Sequence, residues 1–578
     1  MPAIAAVGVV WSSIGGFTIG NLAVGAMLQQ AVVSVGIGYA AKELGEAFTD
    51  DQATDYGAKV NTSSSTAAIC VFYGTRVVGG NEFRAAGGED NKYLYRVMVL
   101  GEGEMDGIDA VYFNDNDVGT YEDDDGELVY ADLVRYTFHD GADGQAADID
   151  LVQEVEAWGP DHRGFGVAYL YVRTEWDSDA FPSGMPTLTV KARGRRIYDP
   201  RAAVTAWSEN PALCIRDYIT NTRFGASIPV SAIDDDSFSE AANYCDELVT
   251  FTDSEGIDFD AKRYTCNGVL NPDDGCLDNV KKLLTCCRGM LVYSGGKWKL
   301  LIDKPEVALF DFNEDNIVGA WTFSGSSKNT IANQVCAYYY DTDNQSEDTL
   351  TVVSDGDYIA EDGQIFEQDV YYPLTNSLAR ANILAQHHLK QARQGLTASF
   401  SVTLEALAVN VGDVVTITHP VPGWYAKPFR VLSMSLESSD KIKVEVQEYD
   451  PSVYTFDVTT PPSIPDTNLP DPFSTPAPSG LVLESGTEHL QISASGTVIA
   501  RLLAQWSAPA STFVDRYEVA YKLSSASGWT AFETGERQHY FSPVSDGYAY
   551  DVRVRAIYYS GRRSKWLETS GYLVVGKS

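Results

Sequence analysis

Seven prolines stand at positions 461, 462, 465, 470, 472, 476 and 478. Proline fixes φ and donates no backbone hydrogen bond, so neither a helix nor a central strand can run through this stretch. It favours extended polyproline II and acts as a semi-rigid spacer. The chain therefore folds as separate bodies on its two sides. Its 578 residues are in any case too many for one core, and about three to five domains are expected.

A hydrophobic content of 44% is ordinary for a globular protein, while 33 Tyr and 49 Gly favour strands and turns. Net charge is −38, from 42 Lys+Arg against 80 Asp+Glu. That excess excludes wrapping nucleic acid, which needs a basic surface. An acidic wall does let a duplex slide past without sticking, and it equally serves solubility. The eight cysteines are Cys70, Cys214, Cys245, Cys266, Cys276, Cys286, Cys287 and Cys336. No CxxC pair occurs, and adjacent Cys286 and Cys287 do not suit a disulfide framework. Buried free thiols, formed in a reducing cytoplasm, are expected.

Residues Met1 to Ala41 carry no charged side chain; Lys42 is the first. The segment is apolar and Gly/Ala-rich, with Ile4, Val10, Trp11, Phe17, Ile19, Val24, Met27 and Val35 as its large side chains. Gly16 and Gly20 form a GxxxG spacing that permits close helix approach. A secretory signal needs a basic n-region, which is missing. Three readings stand: a plug packed against copies of itself, a segment released into a target membrane, or a permanent anchor. The Gly36-Ile-Gly38 run lacks the βαβ context of a dinucleotide fingerprint.

Strands are expected from Ser63 to Val118, including Ala68–Tyr73 closed by Gly74, Thr75–Gly80, Tyr93–Leu100 and Ile108–Phe113, with Gly101–Gly107 as a turn-rich connector. Gly166–Arg173 and Thr187–Arg193 continue the pattern. The chemistry then changes. Asn210-Pro211 opens a helix, Ser237 with Glu240 can cap a second, and a third runs from Cys276 to Arg288, ended by Gly289. Met290–Tyr293 and Lys297–Ile302 form a hairpin about Ser294-Gly295-Gly296. A helix at Leu378–Arg393 precedes strands at Thr397–Leu404 and Val414–Thr418.

No enzyme signature emerges. The seven histidines are scattered, and no HExxH, GxSxG or P-loop occurs. His387 and His388 are explained by helix polarity or amide contacts rather than by metal. The acidic tip Glu122–Glu127 fails the EF-hand spacing and reads as a solvated loop. No catalytic residue, metal ligand or cofactor site is assigned. Carboxylate pairs abound by chance, so a peptidoglycan-degrading activity has no positive support.

Family resemblance supplies what composition does not. Trp506-Ser-Ala-Pro509, Tyr517–Tyr521, Tyr550–Ala556, Gly561, Ser564 and Trp566 resemble, in register, a fibronectin type III sandwich with core residues Trp506 and Tyr550. Arg195–Pro200, Asn210–Ile219, Thr222–Gly225, Tyr264–Gly268 and Gly296–Pro305 match in order and spacing the lambda-type tail-tip (host-specificity) hub proteins of siphophages. Asn333–Tyr340, Arg380–Leu384 and Val411–Val415 resemble the later hub domains, and residues 1–80 resemble part of a separate lambda-type tail assembly protein.

The resemblance implies a multidomain, mainly β chain with an α+β portion, its hub β-domains forming a trimeric ring followed by an Ig-like sandwich. The expected divisions are 1–60 apolar segment, 61–205 β-rich, 206–310 α+β, 311–456 β-rich with one helix, 457–478 linker and 479–578 fibronectin type III. It further implies a non-enzymatic virion protein at the tail tip, made in the host cytoplasm. That protein would be a homotrimer closing the tail tube against a distal tail ring. The tape-measure protein, other tip proteins and fibres are its partners, with the host envelope or membrane met by the apolar head and DNA only in transit. The alternative reading is a host-surface adhesin acting through the fibronectin domain.

Overall fold

The computed structural model describes residues 31–34, 61–64, 66–122, 127–177, 180–181, 184–253, 256–325, 331–342, 346–437, 440–456, 475–492, 498–510, 513–559 and 561–576. Ile4, Val10, Trp11, Phe17, Ile19, Val24, Met27 and Val35, the acidic tip at 123–126 and residues 457–474 lie outside that set. Two compact units are present, residues 1–175 with 187–463 and residues 176–186 with 464–578. Both are mainly β, with the helices concentrated in the first.

The first unit opens with an antiparallel sheet in the order Asn81–Gly87, Tyr93–Glu102, Val167–Glu175, Val134–His139. A second sheet holds Val204–Trp207, Leu188–Asp199, Met105–Phe113 and Asn116–Asp117, with Thr75–Val78 also paired to Leu188–Asp199. The expected connector at Gly101–Gly107 contracts to Gly103 and Glu104, because Gly103 takes φ 86 and turns the chain at once. Gly74 has a stricter role. A Cβ there would lie 2.2 Å from the Cys266 carbonyl oxygen. A short helix, α1 (Ile149–Glu154), is capped by Asp148, which accepts from Asp150 N and Leu151 N.

The helical core is built on α2 (Pro211–Thr220), α3 (Asp235–Asp246) and α4 (Cys276–Thr285). Asn210 caps α2 through Ala212 N at 3.0 Å, with Pro211 in the first turn. Two boundaries differ from expectation. Asp234, not Ser237, caps α3; Ser237 lies inside the first turn, where its hydroxyl donates to Asp234 O at 2.8 Å and accepts from Leu300 N at 3.1 Å. After α4 the left-handed residue is Arg288 (φ 56), and Gly289 already begins a strand. Arg288 is held there by its guanidinium, which donates to Asp303 O at 2.7 Å.

Strands Gly289–Ser294 and Lys297–Ile302 form a hairpin about Gly295 (φ 62) and Gly296 (φ 81), the two positive-φ positions that tight hairpin turns require. Both faces of this hairpin are buried. Leu291, Trp298, Leu300 and Ile302 enter the helical core beside Leu213, Leu283 and Leu284. Met290 and Val292 enter a second core beside Phe312, Phe400 and Val415. The backbone of Ala31–Ser34 pairs antiparallel with Met290–Tyr293 on the hairpin's free edge.

The helical core draws on residues from both sides of position 310. Val335, Ala337 and Tyr339, from a sheet ordered Ser346–Ser354, Gln334–Asp341, Glu367–Tyr372, pack in it with Ala381, Leu384 and Leu389. Those last three lie on α6 (Leu378–Ala392), and α5 (Gly356–Asp362) precedes it. Among the described residues, 311–456 thus hold two α-helices where one was expected. The missed helix, α5, is capped by Asp355 and closed by left-handed Gly363, and Asp355-Gly356 reads in sequence as a turn. The second core fills a six-stranded sheet ordered 310–312, 414–419, 424–437, 441–448, 397–402, 317–324. This sheet curls, so that Trp321 on its edge strand lies 4.8 Å from the His419 ring and 6.3 Å from Trp424.

The second unit is a sandwich of a three-stranded sheet (Ser479–Glu484, Leu502–Ser507, Gln538–Phe541) and a four-stranded one (Thr530–Thr534, Val514–Leu523, Ala549–Tyr558, Leu567–Leu573). Trp506 and Tyr550 are both buried in its core. The Trp506 ring meets Tyr517 edge-on at 5.4 Å. The Tyr550 hydroxyl accepts from Ser545 N at 2.9 Å, a tyrosine corner. On the outer face Arg553 lies between Trp566 at 4.0 Å and Trp529 at 4.2 Å.

Leu291, 3% exposed and shared into the helical core, is a direct probe of the hairpin. Leu291→Ala is expected to cost about 2–5 kcal/mol, read as a lowered midpoint in denaturant unfolding. Tyr425→Ala, at a residue 89% exposed, is expected to change stability by less than about 0.5 kcal/mol.

Candidate functional site

The two cores that share the hairpin are also joined by buried charge. Asp303 directly follows the second hairpin strand, and its N–H donates to Arg288 O at 3.1 Å. Its carboxylate then meets three elements. Oδ1 accepts from the Tyr454 hydroxyl at 2.5 Å and lies 3.1 Å from Arg430 Nη2. Oδ2 lies 3.0 Å from His387 Nε2 on α6. Arg430, on the long strand Trp424–Glu437, also donates to Gly412 O at 3.0 Å, Lys304 O at 3.1 Å and the Tyr454 hydroxyl at 3.1 Å. The side chains of Asp303, Arg430 and His387 are only 4–5% exposed.

The electrostatics follow from that enclosure. Burial works to raise the Asp303 carboxyl, but Arg430, His387 and Arg288 override it and hold the group well below the ordinary carboxylate range. Burial, and then the Arg288 guanidinium, push His387 down to about 4, so the imidazole stays neutral. Burial raises Glu306, which lies 3.6 Å from Arg430 Nη1. Burial would lower Arg430, but Asp303, Tyr454 and Glu306 raise it overall. The cluster presents no nucleophile beside a base. Its chemistry is that of a lock: directional, charge-assisted hydrogen bonds closing the helical core against the six-stranded sheet.

The motifs that carried the resemblance have similar work. The Tyr73 hydroxyl donates to Asp217 at 2.6 Å, and Arg195 Nε lies 3.4 Å from the same carboxylate with its guanidinium 4.9 Å over Phe224. Arg223 pairs with Glu102 at 2.7 Å. Asn267, fully buried, accepts from Thr75 N at 2.7 Å and donates to Asn376 at 3.1 Å. These contacts tie the β-rich start of the unit to the helical core. Of the assigned positions, Trp506 and Tyr550 lie in one core, Trp506 against Tyr517 at 5.4 Å and Tyr550 stacked on Tyr521 at 6.1 Å, and the apolar-head residues fall outside the described set. His388 makes the expected amide contact, to Gln368 at 3.2 Å. His387 instead faces Asp303, and the roles of Asp303, Arg288 and Arg430 were not visible in sequence. The one available signal was an acidic residue immediately after the apolar run Leu300-Leu301-Ile302.

One comparison falls on this part of the molecule. Residues 276–433 match a family model described as a putative phage tail protein, a span that contains Arg288, Asp303, His387 and Arg430. The chain is 26% identical over 264 residues to the tip attachment protein J of Escherichia phage SECphi27, covering 43% of this chain and 22% of that protein. It is 21% identical over 458 residues to the baseplate hub protein pb3 of Escherichia phage T5, covering 67% of this chain and 48% of that one. This is a structural protein of the phage tail tip. It thus covers less than half the length of either curated relative. A chain of the virion of a native gene transfer agent particle aligns with a TM-score of 0.48 and 15% identity over 68% of this chain and 88% of that one. The relatives' names are those of a tip attachment protein and a baseplate hub protein. Among the described residues, no helix is long and apolar enough to cross a membrane.

The lock makes two measurable demands. Asp303→Asn leaves Arg430 and Arg288 without their buried counter-charge and is expected to cost about 3–5 kcal/mol in chemical denaturation. His387 binds a proton in the unfolded chain near pH 6.5 but in the folded chain only near 4. Its contribution is complete above about pH 6.5 and is lost as pH falls toward about 4, at up to about 1.4 kcal/mol per pH unit. His387→Gln is expected to flatten that part of the stability–pH curve. A variant curve parallel to wild type over this window would remove His387 from the account.

Proposed function

We propose that this tail-tip protein is the central hub of a long, non-contractile phage tail. Three copies close the tail tube beneath the distal tail ring, hold the end of the tape-measure protein, connect to tip fibres and open for DNA ejection into the host. The observation that carries this reading is a set of exposed apolar side chains at strand edges and loop tips of the first unit. Val307 (84% exposed) and Leu309 (72%) lead into the edge strand Phe310–Phe312, and Val421 (83%) and Tyr425 (89%) flank the tip of the 414–437 hairpin. Leu248 (69%) and Ile257 (58%) lie on the hairpin Leu248–Thr252/Asp258–Lys262. Copies arranged about an axis bury such patches, which a lone chain leaves in water.

The net charge of −38 supports the conduit part of the proposal. Phosphates passing an acidic wall are repelled and released rather than captured. The apolar head, residues 1–41, then either plugs the lumen or enters the host membrane when the tube opens. The name of the T5 relative, a baseplate hub protein, agrees with the central position.

Mass measurement of assembled tails is expected to give three copies per tail; any other stoichiometry overturns the trimer. Deleting residues 1–41 is expected to block assembly or DNA delivery while the remainder folds, and normal infection by the deletion phage would refute the role given to the head.

A further inference from the structure

The three-stranded sheet of residues 334–372 covers the helical core with one face only. Val335, Ala337 and Tyr339 point into that core. Alternation puts Gln334, Cys336 and Tyr338 on the opposite face. The neighbouring strand runs parallel, with Gln334 opposite Glu367, Cys336 opposite Asp369 and Tyr338 opposite Tyr371. The Tyr338 and Tyr371 rings stack at 4.7 Å and 12° on this outer face. Backbone pairing thus fixes a thiol and two carboxylates side by side.

We propose that Cys336, Glu367 and Asp369 form a binding site for a divalent cation of the zinc class. One ligand atom from each lies within 4.8 Å of the other two. Cys336 is buried, while Glu367 and Asp369 are exposed beside it on the same face of the sheet. Glu367 accepts a hydrogen bond from the neutral Gln334 amide.

A divalent cation fits among the three converging donor atoms. It neutralises the paired carboxylates and stabilises the thiolate, whose proton leaves to solvent as the sulfur–metal bond forms. Calcium and magnesium are hard cations that take oxygen ligands and gain nothing from the sulfur of Cys336. A sulfur with two carboxylates suits zinc, and three protein ligands leave one tetrahedral position open to water or a group from another molecule.

The test uses the full chain, freed of metal by a chelator and titrated with Co²⁺, whose charge-transfer absorption reports sulfur ligation. A saturable thiolate band is expected in wild type and is expected to vanish in Cys336→Ser. Affinity is expected to fall about tenfold or more in Asp369→Asn, whose exposed position leaves the circular dichroism unchanged. The proposal is overturned by the absence of a band, by a band that persists in Cys336→Ser, or by wild-type affinity in Asp369→Asn. Displacement of Co²⁺ by equimolar Ca²⁺ would also overturn it, because the site would then be one for hard cations.

Discussion

Two cores of the first unit depend on one hairpin that feeds both of them, one from each face. In most antiparallel pairs one face meets a core and the other meets water, so apolar and polar residues alternate. Strands Gly289–Ser294 and Lys297–Ile302 serve two cores at once, with Leu291 and Leu300 on one face and Met290 and Val292 on the other. That double duty accounts for the nearly unbroken run Met290-Leu-Val-Tyr293 and for Leu300-Leu301-Ile302. It also means that neither core closes without the other.

The chain's path makes the dependence mutual. It leaves the hairpin to lay down 310–324 in the six-stranded sheet, returns to the helical core with 331–392, and goes back to the sheet at 397–448. Two interleaved cores cannot separate as beads do, because each is stitched through the other. The division expected at 310 therefore does not separate the two cores, each of which draws on residues from both sides of it. Sequence patterns report the period of an element and the turn after it, and say little about which core an element joins.

What was legible was local. The hairpin, the Asn210 cap, the α6 helix and the strand at 414–419 each have a short-range cause: glycine pairs at positive φ, a cap beside proline, a 3.6-residue apolar repeat, period-two alternation. The errors were local too, where two nearby residues offered the same chemistry. Asp234 outcompeted Ser237 as a cap because Ser237 was drawn to Leu300 N, a partner 63 residues away. Arg288 took the left-handed position that glycine usually fills because Asp303 holds its guanidinium. The lock itself was illegible, since Arg288, Asp303, His387, Arg430 and Tyr454 lie far apart in sequence. The same holds for Cys336 beside Asp369, which only the parallel register reveals.

The lock poses a last physical question: why join two apolar cores with ions at all. A buried ion pair gives little net stability, because desolvation offsets most of the Coulombic gain, and well-packed apolar residues do as well or better. Apolar contact, however, tolerates sliding, since its energy scales with area and not with direction. Arg430 spends its donors on Gly412 O, Lys304 O, Tyr454 and Asp303, and no shifted docking of the sheet satisfies all four. Asp303 likewise needs Tyr454, Arg430 and His387 in their present places. The cluster therefore penalises every arrangement but one. For the hub proposed above, whose surfaces would meet other copies and other tail proteins in register, a single defined docking of its cores is worth more than added stability.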